Sequence, residues 1–107
     1  MPKFLWALVI TLLATTVSAE GSEYRLVIKN QRFSPAEIHV PANSLFWLLI
    51  ENKDTRSEEF ESQDLHREKL IAGGKTARIK VGPLKPGSYT FFGSFNPDTA
   101  RGVVVAK

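Results

Sequence analysis

The chain has no cysteine, one methionine at its first position, and two histidines, His39 and His66. Without thiols it forms no disulfide, so a domain made for an oxidising compartment would have to rest on packing alone. The same absence removes every thiolate, whether as nucleophile or as ligand for a soft metal. No glycine-rich loop leads into a helix pattern, and no serine or threonine falls beside a base in a recognisable catalytic order. Hydrolytic and nucleotide-dependent chemistry are therefore disfavoured. Charge of neither sign dominates: 14 Lys and Arg against 11 Asp and Glu give a formal charge of +3, with the signs interspersed. Such a pattern offers no polybasic segment for nucleic acid or for an anionic membrane surface.

The first nineteen residues stand apart. Lys3 supplies a positive start, Phe4 to Ala14 is an apolar run, and Thr15 to Ala19 ends in small residues with Val17 and Ala19 at the two positions a signal peptidase reads. This is the pattern of a secretion signal cleaved after Ala19, leaving one domain over residues 20–107. The run is shorter than the roughly 20 residues that a spanning helix needs, so no stable membrane insertion is expected after cleavage. No cysteine follows it to carry a lipid. Loss of Lys3 lowers the formal charge by one.

Over residues 20–107 the dominant signal is short apolar and polar alternation punctuated by Pro, Gly, Asn and Asp, which predicts an all-β sandwich or barrel with no helix. Tyr24, Leu26 and Ile28 make one inward set, and Phe33, Ile38 and Val40 continue it past the Ser34-Pro35 turn. Leu45 to Glu51 is almost unbroken in apolar residues and predicts a central strand packed on both faces. Thr55 to His66 is polar and acidic, and predicts a strand edge or a functional loop. After the Gly73-Gly74 turn, Ala77, Ile79 and Val81 form the next inward set. Pro86-Gly87 then starts a strand through Phe92, whose Tyr89 is placed to pin a Greek-key corner through its hydroxyl. Residues 102–106 close the sheet.

Phe33-Ser34-Pro35-Ala36-Glu37-Ile38-His39-Val40-Pro41-Ala42 resembles the opening motif of bacterial cupredoxins. Asn52, Glu58-Glu59-Phe60, Gly73-Gly74 and the Gly87-x-Tyr89-x-Phe91 strand follow in that family's order. The resemblance implies a cupredoxin-type Greek-key β-sandwich. It also implies that Gly93, Asn96 and Ala100 stand where the family carries its Cys, His and Met ligands. Aligned on Phe60, Glu58 takes the place of the remaining His, with a shift to Glu59 left open. More narrowly, Phe60 to Lys69 and Pro83 to Gly102 resemble the small cupredoxin-like proteins of bacterial iron-uptake operons, the FtrB/FetP type related to the EfeO cupredoxin domain. That resemblance implies a periplasmic location and two partners, a periplasmic iron-binding protein and a membrane iron permease. It further implies copper or iron chemistry in ferrous iron uptake, assisting metal oxidation or hand-over.

A blue-copper centre needs a Cys thiolate with two imidazoles, and the composition excludes it. The donors that remain are oxygen and imidazole: Glu58, Glu59, Glu61, Asp64 and His66 in one stretch, and Asp98 on the last loop. Such a set suits Cu(II), iron, Mn or Zn, with Cu(II) favoured at equilibrium. Alternation turns Glu59 and Glu61 away from the face of Phe60, so the three glutamates should not ligate together. Arg67 and Lys69 could pair with Glu58 and Asp64. His39 is expected to point outward with a structural role. The alternative reading is a metal-free β-sandwich interaction module docking to an iron-binding protein or permease.

Overall fold

Alternation sorts the side chains into an inner and an outer set along nine strands. A computed structural model describes residues 21–107; the proposed signal segment lies outside the described residues. The strands are β1 (Ser22–Lys29), β2 (Arg32–Ser34), β3 (Glu37–Val40), β4 (Phe46–Asn52), β5 (Glu58–Ser62), β6 (Arg67–Ile71), β7 (Thr76–Val81), β8 (Gly87–Gly93) and β9 (Arg101–Ala106). No helix occurs among the described residues. One sheet has the order β2-β1-β4-β7 and the other β3-β9-β8-β5-β6. β1 with β4 and β3 with β9 are the parallel pairs, and the chain crosses between sheets to make them. This is the expected all-β sandwich.

The predicted inward sets meet between the sheets. Leu26, Ile28, Leu48, Ile50, Phe60 and Val104 are completely buried, and each large apolar side chain removed from water in this way contributes about 2 kcal/mol. Phe33 stands edge-on to Phe60 and Phe91, at centroid distances of 6.1 and 5.1 Å, while Phe60 and Phe91 stack at 5.1 Å. This aromatic block ties β2, β5 and β8 across the core near the end that carries the β8–β9 loop. The Tyr89 hydroxyl donates to the Lys85 carbonyl at 2.7 Å, closing the predicted corner.

Two expectations are corrected. β4 is central, between β1 and β7, but only Phe46, Leu48, Ile50 and Asn52 face the core. Trp47, Leu49 and Glu51 point outward and are half-buried. Among the described residues no layer covers them; instead the Arg78 guanidinium lies 4.0 Å over the Trp47 ring, so long basic side chains shield the apolar surface. The acidic stretch is also no edge. β5 lies between β8 and β6, with Glu58, Phe60 and Ser62 buried. The edge is β6, where Arg67 to Leu70 are exposed and charge discourages pairing with another chain. Phe60, the one large apolar residue of β5, was enough to carry an otherwise polar strand into the core because Glu58 and Ser62 find buried partners.

Candidate functional site

At one end of the sandwich three loops converge: the β1–β2 turn, the β4–β5 loop and the β8–β9 loop. Asn52 starts the construction from the core. Its Nδ2 donates to the carbonyls of Arg56 (2.9 Å) and Ile71 (3.0 Å), and its Oδ1 accepts the Asp54 N–H at 3.0 Å. Asp54 in turn accepts the N–H groups of Asn30 (2.7 Å) and Gln31 (2.9 Å), residues held at φ of 53° and 60°. The loops frame an open cleft of roughly 400 Å³ lined by Asn30, Gln31, residues 54–57, Glu58 and Asn96.

Glu58 forms its floor and is only 2% exposed. Its Oε1 accepts the N–H of Glu59 at 2.9 Å and of Phe95 at 3.0 Å, and its Oε2 accepts Asn96 Nδ2 at 2.8 Å. A buried carboxylate with three N–H donors is electrostatically satisfied. Gly93 makes room for it. A Cβ at that position would lie 2.6 Å from the Glu58 carboxyl carbon and 2.8 Å from the Ala100 Cβ. Glu58, Gly93, Asn96 and Ala100 thus meet at one point, while Glu59 faces outward. Phe95, beside Asn96, is exposed.

The other sequence candidates lie elsewhere. Glu59 and Glu61 face outward, as alternation required, and the β5–β6 register sets Glu68 opposite Glu61. Carboxylate oxygens of Glu59, Glu61 and Glu68 come within 4.8 Å of one another, a grouping able to hold a cation. Glu68 was missed by sequence reasoning, although the four-residue turn at Gln63–His66 would have given the pairing. Asp64 Oδ2 accepts the Thr90 N–H at 2.9 Å and Oγ1–H at 3.1 Å. These bonds, backbone first, hold its carboxyl below the usual range, with a smaller contribution from His66. His66 is exposed at φ 56° in the same turn, at the far end of a strand about 13 Å long from Glu58.

Asp98 is exposed on the β8–β9 loop. The six candidates therefore occupy four places. The suggested pairing of Arg67 and Lys69 with Glu58 and Asp64 is absent: Arg67 donates instead to the carbonyls of Lys80 (2.9 Å) and His66 (2.8 Å). His39 does point outward, where it pairs with Glu37.

A family model for the cupredoxin-like domain matches residues 3–106. The chain belongs to the cupredoxin-like family. An uncharacterized protein of Rickettsia prowazekii (strain Madrid E) is 43% identical over 85 residues, covering 79% of this chain and 68% of the relative. Among solved structures, auracyanin A, a "blue" copper protein of Chloroflexus aurantiacus, superposes with a TM-score of 0.74 at 11% identity, over 81% of this chain and 99% of its own. The purple cupredoxin of Nitrosopumilus maritimus gives 0.60 at 18% identity, over 78% and 98%. Identities this low speak for the fold alone.

The family implies copper, and the residues present do not fit a copper ion at the inherited position. The cupredoxin-like chain has no cysteine there or anywhere, so a type 1 site is excluded. Beyond that, the Glu58 carboxylate fills the space of a Gly93 side chain with its oxygens already bonded. No buried side-chain oxygen or nitrogen among the described residues is left without a partner.

Proposed function

We propose that this protein is an exported accessory of ferrous iron uptake that works as a metal-free interaction module, docking to a periplasmic iron-binding protein or an iron permease. The observation that carries the metal-free half is the Glu58 carboxylate, buried and bonded to Phe95 N–H and Asn96, where the sequence resemblance would put the family's metal. The iron-uptake half is supported by the resemblance of Phe60 to Lys69 and Pro83 to Gly102 to the small proteins of such operons. In this reading Glu58 holds the β8–β9 loop in the shape that an ion would otherwise impose, and the loop end is preorganised for a partner at no cost in metal.

A deletion strain should lose ferrous uptake, and a Glu59, Glu61 and Glu68 triple alanine variant should restore it in full. Failure of that variant to restore uptake while it folds normally would overturn the metal-free reading. A second reading is favoured by one observation, the three clustered carboxylates: Cu(II) or iron carried on the outer face of the five-stranded sheet through oxygen ligands and handed on. Calorimetric titration with Cu(II) and Fe(II) separates the two readings, since only the second expects binding that the triple alanine variant abolishes.

A further inference from the structure

Strand alternation does more with charge than the interspersed sequence discloses. The outer face of the four-stranded sheet carries Arg25, Lys29, Arg32, Arg78 and Lys80 against Glu23 and Glu51, a balance of +3. The outer face of the five-stranded sheet carries Glu37, Glu59, Glu61 and Glu68 against Arg101, a balance of −3. The two balances cancel, so the chain's formal +3 comes from residues on neither face and does not disclose the separation. The two faces are separated by about 10 Å of core, which makes the sandwich a strong dipole across its thin direction.

Among the described residues the basic face is an open sheet surface, and the cleft opens at its loop end, where Asn30 and Gln31 between Lys29 and Arg32 line it. Leu49 sits half-buried near its centre and Trp47 toward the end away from the β1–β2 turn, with Arg78 and Lys80 over the indole ring. Two cations are tied to carboxylates, Arg25 to Glu51 and Arg78 to Glu23. Lys29, Arg32 and Lys80 make no ion pair among the described residues. Charge spread along the whole face on long flexible side chains, Arg78 and Lys80 beside the indole and Lys29 and Arg32 at the other end, matches a planar fluid surface of opposite sign. Such a surface needs no shape complementarity, and interfacial Trp is favoured there.

We propose that this face is a peripheral docking surface for an anionic lipid bilayer, with the acidic face turned to solvent by the same field. The proposal shares only the exported setting with the function above. It needs neither iron nor a protein partner, so its test can fail without touching that reading.

Residues 21–107 contain every strand described, and Trp47 is their only tryptophan, so indole emission reports on the face itself. The chain from Glu20 would be titrated with vesicles of 40 mol% phosphatidylglycerol in phosphatidylcholine, and with pure phosphatidylcholine. Expected is a blue shift and co-sedimentation with the anionic vesicles only, lost on raising salt. The Lys29→Glu, Arg32→Glu, Lys80→Glu variant should bind at least about 30-fold more weakly, given roughly 1 kcal/mol for each basic residue at such a surface. A control of identical net charge, Lys69→Glu, Lys85→Glu, Arg101→Glu, should stay within about threefold of the parent, since those cations lie off the face; unchanged far-ultraviolet dichroism verifies folding in both. Three results would overturn the proposal: no binding to the anionic vesicles, equal binding to both vesicle types, or equal loss in both variants. Salt-sensitive self-association without vesicle binding would also reject it, in favour of a second copy offering its acidic face.

Discussion

Glu58 and Asp64 are both carboxylates accepting backbone N–H bonds, yet they do different things because one is buried and the other is not. Asp64 fastens the β5–β6 turn to Thr90 from an exposed position. Its carboxyl is lowered by those bonds, so its stabilising effect is fully present above the unfolded value near 3.9 and is lost as pH falls through the lower folded value. Urea denaturation should therefore find Asp64→Asn less stable than the parent by a constant amount above about pH 5, with the difference shrinking toward pH 2. A difference that grew on acidification would contradict the assignment. The family resemblance, aligned on Phe60, singled out Glu58, but its burial was not legible in the sequence. Removing it in Glu58→Ala takes the acceptor from the part-buried Phe95 N–H and Asn96 Nδ2 and should cost about 2 kcal/mol of unfolding free energy in the same assay.

At the scale of elements, the β8–β9 loop and β5 are fitted to each other through Gly93. The close approach of Glu58 leaves no room for a Cβ, and overpacking of this kind costs about 1–3 kcal/mol. Gly93→Ala should therefore destabilise the parent strongly and the Glu58→Ala protein less, the close approach to the Ala100 Cβ remaining in both. A double-mutant cycle should read a coupling of at least about 1 kcal/mol, and additivity within error would show that Gly93 does not serve the carboxylate. The strands themselves were largely readable, because Leu26, Ile28, Ile79, Val81 and their neighbours keep a strict period of two. What misled the reading was composition: β5 is polar by count and interior by position, while β4 is apolar by count and open to solvent on one side. Sheet order decides such cases, and it depends on pairings between residues far apart in sequence.

For the whole molecule, a loop tied by a carboxylate predicts a fold indifferent to metal. A ligand at 100 times its dissociation constant would add about 2.7 kcal/mol, or several degrees of melting temperature for a domain of this size. Melting curves with EDTA and with a small excess of Cu(II) should coincide within about 1 °C; a rise of 5 °C or more with Cu(II) would show that the native state binds the ion tightly. The same scale holds the separation of charge between the two faces.

By itself the sequence determined the all-β class, the corner at Tyr89, the cupredoxin-type order of motifs and the exclusion of a thiolate copper site, since each follows from residue type and local period. Only the tertiary structure decided where the acidic residues go: Glu58 inward beneath the β8–β9 loop, Glu59 and Glu61 outward to meet Glu68, Asp64 and His66 to a distant turn. The physical reason is that a strand's alternation fixes which residues share a face, while the sheet's order and register, set by packing across the core, fix what each face meets.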